Sequence, residues 1–235
     1  MTPIPQHSNG FRWFDADAYL FDIDGTLLNN GDHVHYNALN QAMLDVYGVD
    51  STIAGIAYHG KTDVGILRAA LERAGVSTLA FEAKLSDALE SVRSHVRDNA
   101  HTLTPRVCAG IPEVLAQVKA AGKLIGIASG NLESVGWQKV KATGLQDFFQ
   151  FGCFCDQREL RKDIFRQAVA EVHTRLGYTA TACFIGDTPD DIQAAQHAGA
   201  RVIAVGTGIF KPEDLGPYQP DVCVASCAEL IAERG

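Results

Sequence analysis

From residue 110 onward the chain alternates short apolar runs with helical stretches, and this alternation restricts the fold more than any other feature. Residues 123–128, 148–154, 182–185, 201–205 and 222–224 read as strands. Residues 111–121, 132–142, 162–176 and 190–197 read as helices, and a terminal helix follows the last strand. Strands alternating with helices imply an α/β fold, a parallel sheet covered on both faces. Such sheets bind ligands beyond the carboxyl ends of their strands. One further strand comes early, in the run from Ala18 to Phe21.

The stretch between that first strand and Arg106 has a different texture. Apolar positions at residues 36–44 recur with helical spacing, and Thr62 and Asp63 offer capping side chains ahead of Val64, Ile66, Leu67 and Leu71. A third amphipathic stretch covers residues 81–96, and Pro105 closes the block. Ordinary connections run to about 4–6 residues, so a block this long is expected to be a second, small helical domain hanging over the site. The expected division is a core of residues 1–30 and 106–235 with a cap of residues 31–105.

The first strand runs into Asp22-Ile23-Asp24-Gly25-Thr26. Alternate strand residues share a face, so Asp22 and Asp24 are expected to point the same way beyond the sheet edge. Two close carboxylates repel unless a cation or a shared proton relieves them, so the pair implies a metal, a proton-transfer role, or both. Asp and Gly also make ordinary surface turns, but a turn needs neither a buried approach strand nor a second acidic cluster. That cluster is Gly186-Asp187-Thr188-Pro189-Asp190-Asp191, where another apolar strand meets a proline-initiated helix. A hard cation such as Mg²⁺ prefers oxygen ligands, and Asp22 and Asp187 would supply one from each strand end. Asp190 and Asp191 also suit the first turn of a helix through its dipole.

Two further strand ends are polar. Ser129-Gly130-Asn131 joins a hydroxyl to free backbone N–H groups at a helix start, a favourable phosphate seat and equally a common N-cap. Arg158 to Lys162 brings cations to the start of a helix, where one side chain would neutralise a phosphate while the others remain in solvent.

Taken together these motifs resemble the haloacid dehalogenase superfamily, and its phosphatase branch in particular. Asp22-x-Asp24-Gly25-Thr26 is similar to that family's first motif, Ser129 to its second, the basic stretch to its third, and Gly186 to Asp191 to its fourth. The resemblance implies a Rossmann-like core, with the helical cap placed as in the subgroup containing phosphoglycolate phosphatases. It implies that Asp22 is a nucleophile forming an aspartyl-phosphate and that Asp24 is an acid and then a base. Mg²⁺ would be held by Asp22, the backbone carbonyl of Asp24, and Asp187, with Asp191 behind them. Ser129, Gly130 and Asn131 would hold the phosphoryl oxygens. For the third motif, helical spacing to Ile164, Phe165 and Ala168 favours Arg161 and residue identity favours Lys162; both stay open. The presence of Asp24 favours phosphoester chemistry over dehalogenation, because an alkoxide leaving group needs a proton.

In the cap, Tyr58-His59-Gly60-Lys61-Thr62-Asp63 resembles the family's substrate-specificity loop, with Gly60, Lys61 and Thr62 as the implied substrate contacts. Lys61 is placed to read a carboxylate or second phosphate, phosphoglycolate being the first candidate, or simply to sit in solvent beside a capped helix. His33 and His35 read as hinge surface. A sugar-phosphate mutase or phosphotransferase would use the same residues. A signalling receiver domain, at about 120 residues, would need neither Asp24-Gly25-Thr26 nor a cap, and a non-catalytic binding protein would not need every acid.

The 28 acidic against 20 basic residues, a net charge of −8, speak against a nucleic-acid partner. No apolar run approaches the ~20 residues that span a bilayer, and the polar start lacks a signal-peptide core. A cytoplasmic monomer or homodimer acting on a small phosphorylated metabolite is expected. The six cysteines are irregularly spaced and expected to be reduced. Cys153, Cys155, Cys223 and Cys227 lack the spacing of a usual zinc knuckle.

Overall fold

The computed structural model describes residues 10–29 and 33–232. Residues 1–9, most of the polar start, and 30–32, where the helical block was expected to begin, lie outside them, as do residues 233–235. Strand β1 (Ala18–Phe21) is buried along its whole length and lies at the centre of a six-stranded sheet. A two-residue strand β2 (Leu28–Asn29) follows, then helices α1 (Val34–Tyr47), α2 (Asp63–Arg73) and α3 (Thr78–Asp98), and the short strand β3 (Arg106–Val107). The remainder is α4 (Ile111–Ala120), β4 (Leu124–Ala128), α5 (Glu133–Ala142), β5 (Phe151–Cys153), α6 (Arg161–Leu176), β6 (Ala182–Gly186), α7 (Pro189–His197), β7 (Arg201–Val205), α8 (Pro212–Leu215), β8 (Val222–Val224) and α9 (Cys227–Ala232).

The large sheet has the order β5-β4-β1-β6-β7-β8 with every pair parallel. Parallel strands buried on both faces need continuous apolar runs, and β1, β6 and β7 supply them. Along β1 the side chains alternate as the pleat requires. Ala18 and Leu20 join the apolar cluster that holds Ile164 and Phe165 of α6 and Ile192 of α7. Tyr19 and Phe21 join the one that holds Ile111, Val114 and Leu115 of α4. The stacking of Phe165 on Phe184, centroids 4.0 Å apart, packs α6 onto β6.

Register fixes where the polar residues emerge. Phe21 is level with Ile127 of β4 and Ile185 of β6, and the Asp22 N–H still bonds the Ile185 carbonyl at 3.0 Å. Asp22, Ser129 and Asp187 therefore leave three adjacent strands at one sheet edge. Apolar residues of α1, α2 and α3 run continuously into the cluster on the α6–α7 face. The helical block starts and stops beside an antiparallel ribbon that pairs Leu28 with Val107 and Asn29 with Arg106. Two residues per strand are too few to show a period, so the sequence gives no sign of this ribbon. The strand expected at 148–154 is three residues long, and a 3₁₀ turn over residues 146–148 takes up its expected start. The six cysteines are free. Cys153 and Cys223 occupy the two opposite edge strands, five intervals of about 4.8 Å apart, so the four cysteines cannot share one zinc ion.

Candidate active site

At the end of β1 the Asp22 carboxylate is buried, and its Oδ2 lies 2.8 Å from Nη2 of Arg161. Arg161 opens α6 and is buried as well. Its Nε and Nη2 donate to Oδ1 of Asp191 at 2.9 and 2.5 Å, and its Nη1 donates to the Gly60 carbonyl at 3.1 Å. Asp187 completes the group. Ligand oxygens of Asp22, Asp187 and Asp191 all lie within 4.8 Å of one another. Burial pushes the Asp22 carboxyl up to about 6, against the pull of Arg161. Asp187 is pushed well above its ordinary value, first by burial and then by Asp191 and Asp22. Three buried carboxylates with one guanidinium are short of positive charge, and a divalent cation with oxygen preference fits that deficit.

The backbone around Asp187 is built to a close tolerance. Gly25 has φ +85°, and a Cβ there would lie 2.2 Å from Asp187 Oδ2; at Gly208 it would lie 1.8 Å away. Only glycine lets both loops approach the carboxylate this closely. Thr26 donates to Asp187 Oδ1 at 3.1 Å. On the far side, Thr188 caps α7 through a reciprocal pair of contacts with Asp191. Asp191 thus serves both Arg161 and the cap of its own helix, and it is completely buried.

Asp24 belongs to a separate polar cluster. Lys139 Nζ donates to both of its carboxylate oxygens, at 2.9 and 2.7 Å, and Asn131 Nδ2 donates to Oδ2 at 2.8 Å. Burial raises the Asp24 carboxyl, but Lys139 leads the opposing contacts, which hold it below the ordinary value. Lys139 also reaches Asn131 Oδ1 and His35 Nδ1, each at 2.9 Å. The other ring nitrogen of His35, Nε2, lies 3.1 Å from Asp63 Oδ1. His35 is therefore part of the site, not hinge surface.

The remaining expected residues separate cleanly. Ser129, Gly130 and Asn131 line one cavity with Asp22, Asp24, Arg161 and Asp187. Gly130 is needed for contact between segments, because a Cβ there would lie 2.4 Å from the Lys61 carbonyl oxygen. Gly60 and Lys61 line the same cavity, but Lys61 Nζ is 2.6 Å from Asp190 Oδ2. Thr62 is absent from that wall: its hydroxyl caps α2 by accepting from Gly65 N and donates to the Glu159 carbonyl. Lys162 is exposed and outside the cavity, because one step along α6 rotates a side chain by about 100°. Of the two, Arg161 is the one brought against Asp22, the placement that helical spacing to Ile164, Phe165 and Ala168 favoured. The side chain of Asp24 lies outside the metal-competent triad; only its backbone carbonyl was expected to serve there.

The model of the haloacid dehalogenase-like hydrolases matches residues 19–205. This chain belongs to that family. Among its curated relatives, the phosphoglycolate phosphatase of Mesorhizobium japonicum is 25% identical over 220 residues, covering 91% of this chain and 92% of that protein. The N-acetylmuramic acid 6-phosphate phosphatase of Pseudomonas putida is 27% identical over 206 residues, covering 84% and 86%. The fold matches the crystal structure of CbbY from Rhodobacter sphaeroides in complex with phosphate, with a TM-score of 0.69 at 21% identity over 92% of this chain and 96% of that one. The hydrolase is an enzyme of phosphatase type. No helix among the described residues is long and apolar enough to cross a membrane.

Lys139 is the site residue that sequence reasoning missed. In sequence it is one of two lysines in an ordinary helix. The available signal is its phase: it falls four residues after Val135 and seven after Leu132, on the buried stripe of α5, where an unpaired lysine would be costly.

Proposed function

We propose that this hydrolase is a Mg²⁺-dependent phosphatase of small phosphorylated metabolites that works through an aspartyl-phosphate on Asp22. The observation that carries the reading is the meeting of Asp22, Asp187 and Asp191 oxygens within 4.8 Å of one another beyond the ends of β1 and β6, with Arg161 paired to Asp22 and Asp191. Asp22, Asp187 and the backbone carbonyl of Asp24 would hold the ion, with Asp191 behind. Bound there, the cation reduces the repulsion between an anionic nucleophile and an anionic phosphate.

The chain's own groups supply the remaining steps. Asp22 attacks phosphorus as the ester P–O bond breaks, and the leaving alkoxide takes a proton through Asp24. Lys139 holds that carboxyl ionised in the free site, so the proton arrives on the phosphate monoanion of the substrate and passes to Asp24 as it binds. Water then attacks the phosphorus of the aspartyl-phosphate, Asp24 takes a proton from that water, and the bond to Asp22 breaks to release phosphate. Arg161, already against Asp22, offers its guanidinium to the phosphoryl oxygens, and Ser129 with the neighbouring N–H groups holds the others. Residues 31–105 act as a cap over a core of residues 1–30 and 106–235. Phosphoglycolate and N-acetylmuramic acid 6-phosphate, the esters in the relatives' names, are natural first assays.

The test is hydrolysis of 4-nitrophenyl phosphate by purified protein, with acid-quench trapping of the phosphoenzyme. Turnover that needs Mg²⁺, disappears in EDTA and leaves phosphate on Asp22 supports the reading. Turnover that is indifferent to EDTA, or phosphate trapped elsewhere, overturns it.

A further inference from the structure

The cavity of about 370 Å³ has two dissimilar walls. The sheet side carries Asp22, Asp24, Asp187, Ser129 and Arg161. The side contributed by the helical insertion carries Tyr36, Leu39, Ile53, Tyr58, His59 and Ile66, together with the charged Lys61 and Asp63. Leu39, Ile53 and Ile66 are buried there. The rings of Tyr36 and Tyr58 meet edge to face with centroids 6.2 Å apart, and Tyr58 lies 4.3 Å from His59. With the phosphoryl group held on the sheet side, the alcohol part of a substrate faces this aromatic and aliphatic wall.

Charge restricts the alcohol further. Four aspartates and three lysine or arginine side chains line the cavity. A bound divalent cation and a phosphoryl dianion offset each other, so no positive charge is left over for a second anion. Each of the three cations also has a carboxylate partner: Arg161 has Asp22 and Asp191, Lys139 has Asp24, and Lys61 has Asp190. Burial lowers the His59 value, so that ring adds no charge at neutral pH. A carboxylate or second phosphate brought into this wall would lose water without gaining a free cation. An aromatic or sugar-like ring would instead find the rings of Tyr36 and Tyr58 on the cavity wall.

Resting on the phosphatase reading, we infer that the preferred substrate is a phosphate monoester of an uncharged alcohol with a ring or apolar face, seated against Tyr36, Tyr58 and Leu39. Substrates with a second anionic group, the ester phosphoglycolate and the anhydride pyrophosphate among them, are poor.

The experiment compares kcat/KM with Mg²⁺ for phenyl phosphate and glucose 6-phosphate against phosphoglycolate and inorganic pyrophosphate. The expected result is a preference of about tenfold or more for at least one uncharged ring ester over both anionic substrates. Tyr58→Ala is expected to lower kcat/KM for that ester about tenfold, chiefly through KM, while the value for phosphoglycolate changes less. Hydrolysis with phosphoglycolate or pyrophosphate equal to or better than both ring esters would overturn this inference and leave the phosphatase reading standing. Equal losses on ring and anionic esters in Tyr58→Ala would also overturn it. Failure to hydrolyse any of the four substrates would overturn both.

Discussion

On the sheet side of the cavity each acidic group is held by another polar group: Asp22 by Arg161, Asp24 by Lys139 and Asn131, Asp187 by Thr26. On the helical side, Tyr36, Leu39 and Ile66 offer shape and apolar surface to whatever enters. The two walls meet over one space yet obey different physics. The first fixes charge in advance, so little reorganisation is needed as a phosphoryl group is transferred. The second discriminates by fit, which is worth less per contact and is easily altered.

Substitutions on the sheet side should therefore act on the chemical step and those on the helical side on recognition. Asp22→Asn carries the largest expected loss, about 10⁴-fold or more in kcat for every ester, with no trappable phosphoenzyme and an unchanged circular dichroism spectrum. Lys139→Met comes next. Losing the cation that holds both oxygens of Asp24 should lower kcat about 10²-fold with little change in KM, and Lys139→Arg should recover part of it. A loss confined to KM would move Lys139 to the recognition wall.

The acidic limb of activity offers a smaller effect. Asp22 is raised to about 6, so it gains a proton as the pH falls through that value and loses both nucleophilicity and metal affinity. At limiting Mg²⁺, activity should fall below about pH 6, and saturating Mg²⁺ should move the limb to lower pH; a limb indifferent to metal would break the link. Lys61→Ala is expected to do least. Its pair with Asp190 is half-exposed, and exposed pairs contribute about 0–1 kcal/mol, so KM for phosphoglycolate should shift less than about fivefold. A larger rise would restore Lys61 as a reader of anionic substrates.

The same contrast governs what the sequence discloses. Strand ends are legible because alternation and parallel register carry Asp22, Ser129 and Asp187 to one edge with little freedom, and apolar runs mark where each strand stops. Arg161 and Lys162 look alike as letters, and helical phase against Ile164 and Phe165 separates them. The cluster around Asp24 was hidden for a different reason. Lys139, His35 and Asp63 sit on three helices distant in sequence, and no local pattern says which helices will touch. The contribution of Tyr36 and Leu39 to the wall was hidden likewise, since an apolar helix face reads as core whether or not it borders a cavity, whereas Tyr58 lies in the turn before α2 that already read as a recognition loop.

The ribbon of Leu28–Asn29 with Arg106–Val107 has a practical corollary. Directly paired antiparallel residues stand about 5 Å apart, so the whole helical excursion leaves and rejoins the sheet layer through a single narrow seam. A foreign segment whose own ends lie that close together can be spliced in at the seam without re-threading any strand. The covalent connection between the helical block and the sheet is, in that sense, a single point of exchange, although the apolar packing beneath it is shared by both.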